Sequence, residues 1–138
     1  MNPFHFKSLA AVSGLLAVLA VGLSGSALAD PIPSGWTCSG TCGSLGANGV
    51  VTLSPTGNSS YQYVSTNNGT HGVGALPTGA LGGETNGSTL STTVFSATAG
   101  TALNFYFNYV TSDGAGYADY AWAELYNSSN TPVSLLFT

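Results

Sequence analysis

The chain has 138 residues, a charged fraction of 4% and a formal net charge of −4. Lys7 is the whole of its Lys and Arg content, and five carboxylates (Asp30, Glu84, Asp113, Asp119, Glu124) lie beyond it. Nucleic acids and nucleotides are held by Lys/Arg charge and counterion release, so this composition excludes them as partners.

Met1 to Ala29 has the three parts of a secretory signal. Lys7 gives a positive start, Leu9 to Leu23 is an apolar run, and Ala27-Leu28-Ala29 is a small-x-small cleavage pattern. Cleavage is expected before Asp30. The rival reading is a retained membrane helix. The apolar run is short for that, since spanning takes about 20 residues. No later segment is long and apolar enough to span. The expected location is secreted or cell surface.

The exported part, Asp30 to Thr138, is about a hundred residues, enough for one domain with a modest core. Apolar residues make up 43% of the sequence, which argues against disorder. Cys38 and Cys42 lie in Gly35-Trp-Thr-Cys-Ser-Gly-Thr-Cys-Gly43. In an oxidising compartment this pair is expected to form a local structural disulfide that pins a turn. A redox dithiol would show C-x-x-C beside a βαβ pattern. A zinc site would need two further ligands, and the exported part offers one histidine, His71.

No stretch after the leader shows helical periodicity, while short strand patterns recur. Val50 to Leu53 and Tyr61 to Val64 are candidates bounded by the turn residues Pro55, Gly57 and Asn58. Asn67 to Gly87 is glycine-rich and reads as a long loop. Leu90 to Phe95 is a third strand. Ala102 to Val110 carries the strongest alternation: Leu103, Phe105, Phe107 and Tyr109 share one face, Asn104, Tyr106 and Asn108 the other. Asp113-Gly-Ala-Gly116 is a hairpin-type loop leading to Ala118–Tyr126, and Val133 to Phe137 closes the chain. The expected fold is all-β, a single antiparallel β-sandwich of jelly-roll type.

Three phrases resemble a known family. They are the leader followed by Gly35-Trp-Thr-Cys…Cys-Gly43, Phe95-Ser-Ala-Thr-Ala-Gly100 before an aromatic strand, and Phe107-Asn-Tyr-Val-Thr-Ser-Asp-Gly-Ala-Gly-Tyr-Ala-Asp-Tyr-Ala-Trp122. Together they resemble exported bacterial proteins of the PEP-CTERM class, which are sorted by the exosortase system. The resemblance implies a surface or extracellular-matrix component tied to exopolysaccharide. The Pro-Glu-Pro motif, hydrophobic span and basic tail of that class do not occur in this sequence. Either the strand at Leu135-Leu-Phe-Thr138 is the natural terminus or the sequence is a fragment.

Candidate site residues follow from the last phrase. Asp113 and Asp119 offer loop carboxylates to Ca²⁺, against the plainer reading that an Asp beside Gly bonds its own turn. Tyr120, Trp122 and Tyr126, with Glu124 between them, offer an aromatic platform for sugar rings, against the plainer reading that they are core. No nucleophile elbow accompanies His71. A glycosidase pair among Asp113, Asp119 and Glu124 is chemically conceivable but has no spacing to favour it. The expected function is therefore a non-catalytic structural protein of the surface or matrix, with no cofactor beyond a candidate Ca²⁺. The alternative is a carbohydrate-binding module that uses the aromatic strand.

Overall fold

The computed structural model describes residues 2–9, 31–76, 84–112, 114, 116 and 119–138. Among the described residues ten strands run in chain order: β1 Asn2–Leu9, β2 Thr37–Ser39, β3 Thr41–Leu45, β4 Tyr61–Ser65, β5 Thr70–His71, β6 Asn86–Gly87, β7 Thr89–Ser91, β8 Phe95–Ala97, β9 Trp122–Asn127 and β10 Pro132–Phe137. Among the described residues there is no helix, hence none long and apolar enough to cross a membrane. The fold is all-β and every pairing is antiparallel.

The largest sheet has six strands. Its order is β10-β9-β1-β7-β2, and β8 also pairs with β1. Two ribbons, β3–β4 and β5–β6, complete the structure. The β3–β4 ribbon packs against β7 and β1. The core lies where these layers meet: Val64 of β4, Leu90 of β7, Trp122 of β9 and Leu76 are buried together, flanked by half-buried Ile32, Trp36, Cys42 and Tyr120. A ribbon laid over a larger antiparallel sheet is a sandwich-like arrangement.

Local chemistry explains the turns. The β9–β10 hairpin is closed by Asn127, whose side-chain oxygen accepts from the backbone N–H groups of Ser129 and Thr131, each at 3.0 Å. Asn130 takes a left-handed φ of 61°, a conformation Asn tolerates well. Between β2 and β3 the chain turns at Gly40, with φ +90°. A Cβ there would sit 2.3 Å from Ser88 Oγ. That hydroxyl cannot yield easily. It accepts from Thr41 N at 2.7 Å and donates to Ser65 O at 2.6 Å, and Ser88 is fully buried.

Cys38 and Cys42 form the expected disulfide across this turn, with Cα atoms 6.1 Å apart. Because Cys38 belongs to β2 and Cys42 to β3, the bond ties the large sheet to the β3–β4 ribbon.

Several expected strands are present, two of them with altered bounds: β4 and β10 as expected, Leu90–Phe95 as two separate strands β7 and β8, and the strand expected up to Tyr126 beginning at Trp122 as β9. Two are not. Val50 to Leu53 forms a bend, because Asn48 captures its backbone locally: Val51 N donates to Asn48 Oδ1 at 3.3 Å, and Asn48 N donates to Val51 O at 3.2 Å. Residues 101–112 are assigned to no strand, and Leu103, Tyr106 and Phe107 are exposed. The place beside β9 where such a strand would pair is occupied by β1, at Phe4↔Asn127 through Leu9↔Trp122.

Candidate functional site

The sequence singles out the approach to β9 and β9 itself. No residue of β9 is exposed, since it lies inside a sheet with the β3–β4 ribbon over it. Trp122 is only 1% exposed, and its Nε1–H donates to Gly74 O at 2.7 Å. Tyr126 and Glu124 are also buried, and the Tyr126 hydroxyl donates to Glu124 Oε2. Burial, reinforced by that carboxylate, pushes the Tyr126 hydroxyl well above the ordinary tyrosine range.

Tyr120 is half-buried and works as a two-sided bracket. Its hydroxyl accepts from Leu76 N at 3.0 Å and donates to Glu84 Oε1 at 3.0 Å. Burial is the main cause that raises its pKa, with Glu84 adding to it. Tyr120 and Trp122 together therefore hold three points of the glycine-rich 67–87 segment: Gly74, Leu76 and Glu84. The aromatic tips of this segment bond the protein's own loop, where a sugar platform would turn them to solvent.

Asp119 is half-buried. Its Oδ2 accepts from Thr66 Oγ1 at 3.4 Å, and its backbone carbonyl accepts from the Tyr109 hydroxyl at 2.9 Å. Asp113, its suggested partner in a calcium site, lies outside the described residues, as does Asp30. Among the described residues no group of three or more His, Cys, Asp or Glu side chains converges.

His71 is exposed in β5, with Nδ1 2.9 Å from Thr85 O. A carbonyl only accepts, so Nδ1 carries the proton. The pairing helps hold the β5–β6 ribbon, where Thr70 faces Gly87 and His71 faces Asn86. Gly87 is required there, because a Cβ would sit 2.2 Å from Val73 O.

One open pocket of about 330 Å³ lies beside this region, between Phe107 and Tyr109 on one side and Asp119, Tyr120 and Phe137 on the other. The Phe107 and Phe137 rings stack at 4.0 Å with 8° between planes, and Phe105 flanks them.

Sequence reasoning named the residues of β9 without their partners. Gly74, Leu76 and Glu84 carry no pattern that would mark them as acceptors or donors for a strand more than 35 residues away in the chain. No family model, no curated protein and no solved structure matches the chain.

Proposed function

We propose that this protein is a non-catalytic structural component of a bacterial cell surface or extracellular matrix. It is exported through a cleaved leader, folds as an antiparallel sandwich of jelly-roll type and associates with polysaccharide. The observation that carries this reading is where its titratable side chains are spent. Glu84, Asp119 and His71 each take part in a hydrogen bond that joins one piece of the fold to another, and Glu124 is buried in β9 as the acceptor of the Tyr126 hydroxyl. Groups used in this way are brackets, whereas general acids and bases face a substrate. The resemblance of the Phe107–Trp122 phrase to exosortase-sorted proteins supports the same reading.

A surface of Ser, Thr, Asn and Gly with almost no fixed charge suits contact with neutral glycans through many weak hydrogen bonds. The test is fractionation of cultures that express the chain. Recovery with the insoluble polysaccharide matrix, released by mild denaturant, is the expected result. Recovery only as free protein in the medium or the periplasm would overturn the reading.

A further inference from the structure

The leader and the fold are in conflict at β1. By sequence, Asn2–Leu9 belongs to a segment removed at export. In the structure it is the strand that joins β9 and β10 to β7, β2 and β8. Without it β9–β10 is parted from β7–β2 by a gap one strand wide, and β8 loses its pairing. Neighbouring strands lie about 4.8 Å apart, so the rims of that gap are about 10 Å from each other. Both rims would be unpaired edges, the feature that soluble β proteins cover.

The chain carries an occupant of the right shape. Residues 103–110 have the strongest strand pattern in the sequence, yet they are assigned to no strand and expose Leu103, Tyr106 and Phe107. They number eight, as β1 does. Laid over β1, Leu-Asn-Phe-Tyr-Phe-Asn-Tyr-Val matches Asn-Pro-Phe-His-Phe-Lys-Ser-Leu at the Phe-x-Phe positions, with Phe105 at Phe4 and Phe107 at Phe6. In this register Asn108 replaces Lys7 opposite Glu124, and Val110 replaces Leu9 opposite Trp122. Phe105 and Phe107 then share the face of Leu125 and Ala123, and Tyr106 and Asn108 share that of Tyr126 and Glu124.

Direction and distance agree as well. The occupant of the gap must run antiparallel to β9, as β1 does. A segment joined to β9 by the short connection 111–121 runs antiparallel to it as a hairpin. The end of that segment nearer to β9 in the chain is already tied to the connection, since the Tyr109 hydroxyl bonds Asp119 O.

We propose that the leader strand is a placeholder, and that its removal lets Leu103–Val110 of the same chain enter the sheet between β9 and β7–β8. The precursor thus keeps its most aromatic strand out of the sheet until export. The Phe107–Phe137 stack, which holds the segment against β10 on the other side of β9, breaks in this step. A short tether gives the chain's own segment an effective concentration on the order of millimolar, which favours it over a second copy. This inference rests on cleavage of the leader and not on the matrix role.

The test compares amide hydrogen exchange in the exported, processed chain with a precursor whose cleavage is blocked by Ala29→Trp. In the processed chain, amides of 103–110 should slow by at least about a hundredfold, and the protein should be a monomer. Equal exchange in the two forms overturns the proposal. So does protection in a dimer, which would mean a swapped strand, and so does an exported chain that retains residues 2–9. Tyr106→Pro supplies an independent check, because proline inside a central strand removes a ladder hydrogen bond. It should weaken protection of β7 and β9 in the processed form and leave the precursor unchanged. Equal damage to both forms would also overturn the placement.

Discussion

Trp122 separates the two meanings of the aromatic strand. It is 1% exposed and packed with Val64, Leu76 and Leu90, and its indole N–H bonds Gly74 O at 2.7 Å. Trp122→Ala removes the largest fully buried side chain. Such truncations cost about 3–5 kcal/mol. Trp122→Phe keeps most of the volume and loses the hydrogen bond, so its cost should be about 1–2 kcal/mol. Urea denaturation of the exported chain, followed by far-UV circular dichroism, measures both. With a slope of roughly 1.5 kcal/mol per molar urea, the Ala variant should lose about 2–3 M of midpoint and the Phe variant about 1 M. A domain of this size has only about 5–15 kcal/mol in total, so the Ala variant sits close to global unfolding. Polysaccharide retention by the Phe variant should equal that of the parent. If Trp122→Ala leaves the urea midpoint unchanged and abolishes retention, Trp122 is a ligand-facing group and the core assignment is wrong.

Four further outcomes follow from particular contacts. Reducing the Cys38–Cys42 bond releases a very short loop, worth roughly 2 kcal/mol in the chain-entropy model, so dithiothreitol should lower the urea midpoint without unfolding the protein. Gly40→Ala and Gly49→Ala impose similar backbone strain, at φ +90° and +87°, but a Cβ at Gly49 meets nothing within 4 Å. The Gly40 variant should therefore be less stable by a further 1–3 kcal/mol or so in the same denaturation, through its collision with Ser88 Oγ. Tyr61, Tyr120 and Tyr126 are all pushed above the ordinary tyrosine value of 10.0, chiefly by burial. Their protonated forms are retained in the fold while the unfolded chain ionises, so stability is fully present below about pH 10 and falls as pH rises beyond it. Tyr126→Phe should flatten that alkaline fall, and a slope unchanged in the variant would remove Tyr126 as a cause. Finally, trypsin should release no peptide from within Asp30–Thr138 even after denaturation, and mass spectrometry of the digest checks this, since Lys7 is the chain's one Lys or Arg.

Much of the strand content was legible because β4, β9 and β10 combine aromatic or β-branched residues with Asn, Pro or Gly at their ends. The disulfide was legible for the same local reason. Partnership between strands was not. The alternation of Leu103–Val110 states a preference for extended chain, but it does not say which neighbour has a free edge, and β1 holds that edge here. Val50 to Leu53 has strand-forming residues, yet the Asn48 side chain satisfied its backbone first. The aromatic segment misleads in a different way. Alternation along 119–126 separates two faces, which invites one of them to be read as solvent-facing. Inside a sheet both edges of β9 are paired, a ribbon lies over the Trp122 side, and Trp122, Ala123 and Glu124 are all buried in sequence. The hydroxyl and indole groups that suit sugar recognition equally suit bonding a glycine-rich loop that has few side chains of its own.

The most direct test of the structural role is to incubate the exported chain with the extracellular polysaccharide of its own host and to follow partition and reducing ends together. The account predicts that the protein sediments with the polymer and generates no new reducing ends over long incubation. Steady production of reducing ends, abolished by Asp119→Asn or Glu124→Gln in a variant that keeps its urea midpoint, would contradict it and make these carboxylates catalytic.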